Sequence, residues 1–174
     1  MLRRTALAGL GIAFAASARS APELAGLQLR GQGRMRYFGL SIYDARLWSA
    51  EPVDAARWAE QPLTLELQYA RSLVGREIAK RSLAEMRRQA AIADAQAQAW
   101  LAEMETAFPD VKAGDRLSGQ YEPGAAASFF FNGQPRRRIA DARFAQLFFG
   151  IWLSPQTSEP ALREQLLGGH GAPR

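Results

Sequence analysis

The chain has no cysteine, and only one of its 174 residues is a histidine. The first absence excludes disulfides and thiolate metal sites. The single histidine, His170, lies in a glycine-rich tail, which leaves no material for a histidine-based triad or a histidine-rich metal site. Also missing are a glycine-rich phosphate loop, a metal quartet, a nucleophile elbow and a redox pair. Gly31-x-Gly33 is too short to be a dinucleotide fingerprint. No cofactor is expected. Beyond the N-terminus no apolar run is long enough to span a bilayer. Charge of one sign is not massed either: 22 basic side chains stand against 17 acidic ones. The densest basic run is Arg136-Arg137-Arg138, and on a strand its members alternate between faces, so nucleic acid is not an expected partner.

What is present suits one domain with a substantial core, since 48% of residues are hydrophobic and 22% charged. Residues 1–18 read as a secretory signal. Leu2-Arg3-Arg4 gives a positive start, a short apolar run follows from Ala6 to Ala16, and Ala16-Ser17-Ala18 is a small-x-small cleavage site. The expected mature domain is 19–174, placed in the periplasm or outside the cell, with no membrane span after signal removal.

From Leu27 the pattern alternates. Leu27, Leu29, Met35 and Tyr37 share one parity; Arg30, Gln32, Arg34 and Arg36 share the other. This predicts a long strand with a wet face, and Gly31 and Gly33 predict a bend or close backbone approach within it. A turn or bulge is expected near Phe38-Gly39, where the phase shifts, followed by a central strand through Tyr43, Ala45 and Leu47. Residues 63–71 form the cleanest strand pattern. Leu63, Leu65, Leu67 and Tyr69 face one way, Thr64, Glu66 and Gln68 the other, and Arg71 keeps the apolar parity.

Helices are predicted over 75–92, with stripe Ala79-Leu83-Met86-Ala90, and after Asp94, with stripe Ala97-Leu101-Met104-Phe108. Glu77 and Arg81 are spaced as an outward i,i+4 charge pair. The cluster of Trp100, Met104 and Phe108 reads first as core packing, although its helices could also roof a cavity. Later come a strand at 117–121 and a hairpin through Asn132-Gly133. A short helix capped by Asp141 and ended by Gly150 follows, then an extended or turning 151–153, and a last helix capped by Ser158. The order of elements is that of an α+β fold, an antiparallel sheet with helices on one side.

Arginine plus aromatic hydroxyl is the chemistry that remains. A guanidinium is a fixed fork of donors suited to a carboxylate or phenolate, and a tyrosine hydroxyl adds a hydrogen bond. Arg34, Arg36, Arg71, Tyr43 and Tyr69 are the candidates, and which of Arg34 and Arg36 turns inward is open.

Several stretches resemble the bacterial chalcone isomerase-like proteins. They are GRMRYFGLSIYDARLW (33–48), LTLELQYAR (63–71), REIAKRSLAEMRR (76–88), FPDVKAGDRLSGQYEPG (108–124), FFFNG (129–133) and FAQLFFGIWLSPQTSEPALREQLLG (144–168). The resemblance implies an open-faced β-sandwich, an antiparallel sheet covered by a layer of helices, with a pocket between them. Plant relatives close a chalcone to a flavanone by intramolecular Michael addition. Others lack this activity and bind fatty acids, with an arginine and a tyrosine holding the carboxylate. An ungapped match puts Met35 in the arginine's place and Trp48 in the tyrosine's, which adds Trp48 to the candidates. The catalytic threonine of the plant enzymes has no match.

The resulting expectation is a non-catalytic binding protein for a small lipophilic or fatty-acid-like ligand, carboxylate-bearing in the latter case. One alternative is an isomerase of chalcone-like enones. Another is a structural or interaction protein, which exposed Trp48 and Trp152 in one contiguous patch would favour.

Overall fold

The computed structural model describes residues 21–168. The expected signal segment and the glycine-rich tail at 170–174 lie outside them. Six antiparallel strands pair strictly in sequence order: β1 (Gln28–Tyr37), β2 (Leu40–Ser49), β3 (Leu63–Tyr69), β4 (Arg116–Glu122), β5 (Ala126–Phe131) and β6 (Gln134–Ile139). Between β3 and β4 run α1 (Gly75–Gln89) and α2 (Asp94–Ala107); α3 (Ala142–Leu153) and α4 (Pro160–Leu166) follow β6. This is the expected α+β, open-faced arrangement.

Strand parity builds the core. In β2 and β3, Ala45 stands opposite Leu67 and Leu47 opposite Leu65. In β4, Leu117 stands opposite both Leu67 and Phe131. Helix α3 lays Phe144, Phe148 and Phe149 onto this side, all buried. The other side of the central strands is polar but covered. Glu66 is only 2% exposed and sits between Arg46 at 3.1 Å and Arg116 at 2.8 Å. The segment before β1 also packs there: Ser118 Oγ donates to Glu23 Oε1 at 2.7 Å, and Gln120 Nε2 donates to the Glu23 carbonyl at 3.0 Å.

Three further expectations change. Helix α3 does not stop at Gly150 but runs on through Leu153. Gly150 is a packing residue: a Cβ there would lie 2.0 Å from Gln89 Oε1, and Gln89 Nε2 donates to the Leu147 carbonyl at 2.8 Å. Asp94 lies inside α2 rather than capping it, and the buried stripe of α2 is Ala97, Trp100, Met104 and Ala107, with Leu101 half-buried. Ser158 is not the cap of α4, which begins after Glu159. Asp141 does cap α3, accepting from Phe144 N at 2.9 Å and from Trp100 Nε1 at 2.9 Å.

The two glycines of β1 permit the close approach read from the sequence. A Cβ on Gly31 would stand 2.2 Å from the Leu166 carbonyl oxygen, and one on Gly33 would meet Leu162 Cδ1 at 2.6 Å. Helix α4 therefore lies directly on the strand backbone. Since the obstacle at Gly31 is main chain, it cannot rotate away. Gly31→Ala should cost about 1–3 kcal/mol through displacement of α4, read as a lower urea midpoint at unchanged m-value.

Candidate functional site

A cavity of about 360 Å³ lies between the sheet and the helices. Its sheet wall is made by inward residues of β1 to β5, among them Met35, Leu65, Leu67 and Phe129. Ile78 of α1 and Phe148, Phe149 and Trp152 of α3 form the roof. The far end is aromatic: Phe148 has ring centroids of Phe129, Phe149 and Trp152 at 5.0, 5.5 and 5.5 Å. Such a lining favours a lipophilic guest.

Two tyrosines bring hydroxyls to this apolar space. Tyr43 of β2 and Tyr69 of β3 are cross-strand partners with rings edge to face at 5.9 Å. Trp152 Nε1 donates to Tyr43 Oη at 3.0 Å. That bond uses a lone pair and leaves the Tyr43 proton available to donate. Tyr69 is 3% exposed, lines the cavity, and its hydroxyl makes no hydrogen bond among the described residues. The hydroxyl oxygen is not sealed from the cavity, so a guest oxygen can reach it and become its partner.

Burial sets the protonation of both. It pushes the Tyr43 phenol up to about 12, opposed by the Trp152 hydrogen bond. It pushes Tyr69 up further, with the neighbouring Tyr43 adding to the effect. At neutral pH both are hydrogen-bond donors and neither is a base. The linkage sign follows. An unfolded tyrosine ionises near pH 10, while these stay protonated in the fold, so the folded state then binds more protons. Their contribution is intact below about pH 10 and is lost as pH rises toward the folded values. Burial raises the Tyr121 phenol as well, so phenolate absorbance at 295 nm should show three of the four tyrosines ionising above the usual range.

The charged side of the cavity comes from α1 and the segment before α4. Glu77, Arg81 and Glu85 all line it, as do Ser82 and Glu159. The expected Glu77–Arg81 pair does not form. Glu77 pairs with Lys80 at 2.9 Å, and Arg81 pairs with Glu85 at 2.7 Å, which Arg88 also approaches at 3.5 Å. Arg81 is the one cation among the lining residues, and it already has its carboxylate.

Of the candidate residues, the structure brings Tyr43 and Tyr69 together in the cavity and places the other four elsewhere. Met35 stands opposite Tyr43 and shares its inward side, so Arg34 and Arg36, its neighbours in the strand, are not among the lining residues. Arg34 forms a two-pronged pair with Asp44 at 2.6 and 3.0 Å on the far face. That hydrogen-bonded pair holds the Asp44 carboxyl below its usual range. Trp48 stands opposite Thr64 on the same far face, its indole nitrogen buried and unpartnered among the described residues. Arg71 lies past the end of β3, half-buried, and is not part of the lining. Trp48 and Trp152 therefore lie on opposite sides of the sheet, and no contiguous tryptophan patch exists.

Trp152, Arg81, Glu85 and Glu159 were missed as site residues. Trp152 was hidden by the reading of 151–153 as extended. For α1 the signal was present: Ile78, Ser82 and Glu85 lie along the edge of the apolar stripe, and Ser82 and Glu85 are buried. Among the described residues no group of three or more His, Cys, Asp or Glu side chains could hold a metal ion, and no helix is long and apolar enough to cross a membrane.

Comparison with known proteins gives three matches. A family model described as chalcone isomerase-like matches residues 8–168. A solved structure, the fatty-acid-binding protein AtFAP1 of Arabidopsis thaliana, superposes with a TM-score of 0.62 at 12% identity, covering 83% of this chain and 88% of that one. An uncharacterised protein of Haemophilus influenzae is 34% identical over 109 residues, 63% of this chain; the match spans 53% of that protein's length.

Proposed function

The chain belongs to the chalcone isomerase-like family, and on that premise we propose that it is a non-catalytic binding protein whose cavity holds a small lipophilic molecule by one oxygen. The observation that carries this reading is the Tyr69 hydroxyl, open to an apolar cavity and without a hydrogen bond among the described residues, on the cross-strand partner of Tyr43. Two neutral donors suit a carbonyl, ester or carboxyl oxygen. The fatty-acid-binding relative of the same fold supports a long apolar guest.

The charge pattern favours a neutral oxygen over a carboxylate. The lining holds three acidic side chains and one arginine, and the arginine is engaged by Glu85. A carboxylate would have to displace Glu85 from Arg81 or lie near Glu159. Matched probes test this. 2-Undecanone should bind at least as tightly as decanoate at pH 7.5, and Tyr69→Phe should weaken the ketone about three- to tenfold, the worth of one hydrogen bond. Tight decanoate binding that is lost in Arg81→Gln and untouched in Tyr69→Phe would overturn the assignment.

We place the protein in the periplasm or outside the cell. The signal-like start of the chain supports this. Protein recovered from the periplasmic fraction should begin at Arg19; an intact Met1 start on soluble cytosolic protein would contradict it.

A further inference from the structure

Two of the sheet's hairpins turn in the same way with different residues. At the β5–β6 turn, Asn132 has φ 49° and Gly133 φ 80°; at the β1–β2 turn, Phe38 has φ 47° and Gly39 φ 77°. Asn-Gly is the pair such a turn prefers, because asparagine and glycine tolerate the left-handed region. A phenylalanine there is strained, and no contact among the described residues repays it. Phe38 is 88% exposed, and its one ring contact is with its neighbour Tyr37 at 4.5 Å. Tyr37 and Leu40, which close the hairpin, are themselves 54% and 53% exposed. A strained, solvent-facing aromatic kept at a turn tip points to a partner outside the chain.

The surroundings indicate what partner. Arg36 precedes Tyr37 and is exposed. Ala70 N donates to the Ile42 carbonyl, which brings the loop carrying Arg71 and the exposed Val74 to this same end of the sheet. Neither Arg36 nor Arg71 has an ion pair or hydrogen bond among the described residues, whereas Glu77, the acid nearest in sequence to that loop, is held by Lys80. An aromatic and aliphatic tip with unpaired arginines behind it matches the layers of a bilayer surface: apolar groups enter the acyl boundary while guanidinium groups stay among anionic headgroups. Tyr37 also lines the cavity, so the cavity reaches the surface beside the tip.

We propose that the β1–β2 hairpin tip, Tyr37-Phe38-Gly39-Leu40 backed by Arg36 and Arg71, docks on anionic phospholipid bilayers and presents the cavity mouth to them. This goes beyond ligand binding in solution, because Phe38 does not line the cavity.

Vesicle co-sedimentation tests it, with phosphatidylcholine alone and with phosphatidylcholine plus phosphatidylglycerol. The protein should bind the mixed vesicles more strongly, with an advantage that shrinks as salt is added. The informative variant is Phe38→Asn, which suits the turn better and should fold at least as stably. It should lower partitioning about tenfold or more, while leaving 2-undecanone binding in solution unchanged. Arg36→Gln and Arg71→Gln should each lower binding to the mixed vesicles about fivefold and barely affect phosphatidylcholine. Wild-type protein that ignores both vesicle types, or Phe38→Asn binding as well as wild type, would overturn the proposal. So would a concentration-dependent dimer in sedimentation velocity that Phe38→Asn abolishes, which would make a second copy the occupant.

Discussion

Phe149→Ala should unfold about 10 °C below wild type, corresponding to a loss of roughly 3–5 kcal/mol. The size follows from where the ring lies. Phe149 is fully buried in α3, with Tyr121 at 5.1 Å and Phe148 at 5.5 Å. Across from it, β4 carries Gly119, whose absent Cβ would stand 3.0 Å from Phe149 Cζ and 3.3 Å from Phe129 Cε1. Strand and helix are fitted to this ring, and neither can close over the space it leaves. A loss of that size is a large part of the stability of an ordinary domain. Because Phe149 also lines the cavity, the variant should recover part of its lost melting temperature when a saturating lipophile fills the enlarged space. Thermal unfolding with and without 2-undecanone reads both effects.

Filling the cavity should abolish binding with far less damage to the fold. Leu67 enters from the sheet wall and Ser82 from the helix roof. Leu67→Trp and Ser82→Phe therefore block the same space from opposite sides. Each should remove about 2–3 kcal/mol of guest contact, a loss of roughly 30- to 150-fold in affinity. Extra bulk in a packed core destabilises, but here it is directed into existing space, so melting temperatures should stay near wild type. Isothermal titration with 2-undecanone gives the affinities. If both variants bind like wild type, the guest lies elsewhere.

The strands were legible because their alternation is enforced by packing. Leu63, Leu65 and Leu67 share one side in the sequence pattern and in the sheet, and Asn132-Gly133 is a hairpin turn by its own backbone preferences. What was hidden depends on partners distant in sequence. Gly150 reads as a helix stop until Gln89 is seen against it. Glu66 reads only as a polar residue on the side opposite the leucines until Arg46 and Arg116 enclose it. The site divided along the same line. The inward parity of Tyr43 and Tyr69 is a local property and could be read. The outward placement of Arg34 and Arg36 is fixed by Met35 standing opposite Tyr43, a register the sequence does not specify. Ile42 has no opposite number in that register, and this bulge lets both Ile42 and Tyr43 reach the cavity. Arg81 was read as a partner of Glu77 because i,i+4 spacing allows it, yet the same spacing allows Glu85, and that pair forms.

The central claim is that a lipophile occupies the space between sheet and helices with its oxygen at Tyr43 and Tyr69. Methyl-labelled NMR during a titration with 2-undecanone tests it most directly. Saturable shifts should appear at Met35, Leu65, Leu67 and Ile78, which line the cavity, and not at Leu29, which is exposed on β1. Tyr69→Phe should shift the midpoint to higher concentration without changing which methyls respond. Shifts confined to exposed methyls, or no saturation while Leu67 and Ile78 stay unmoved, would contradict the account.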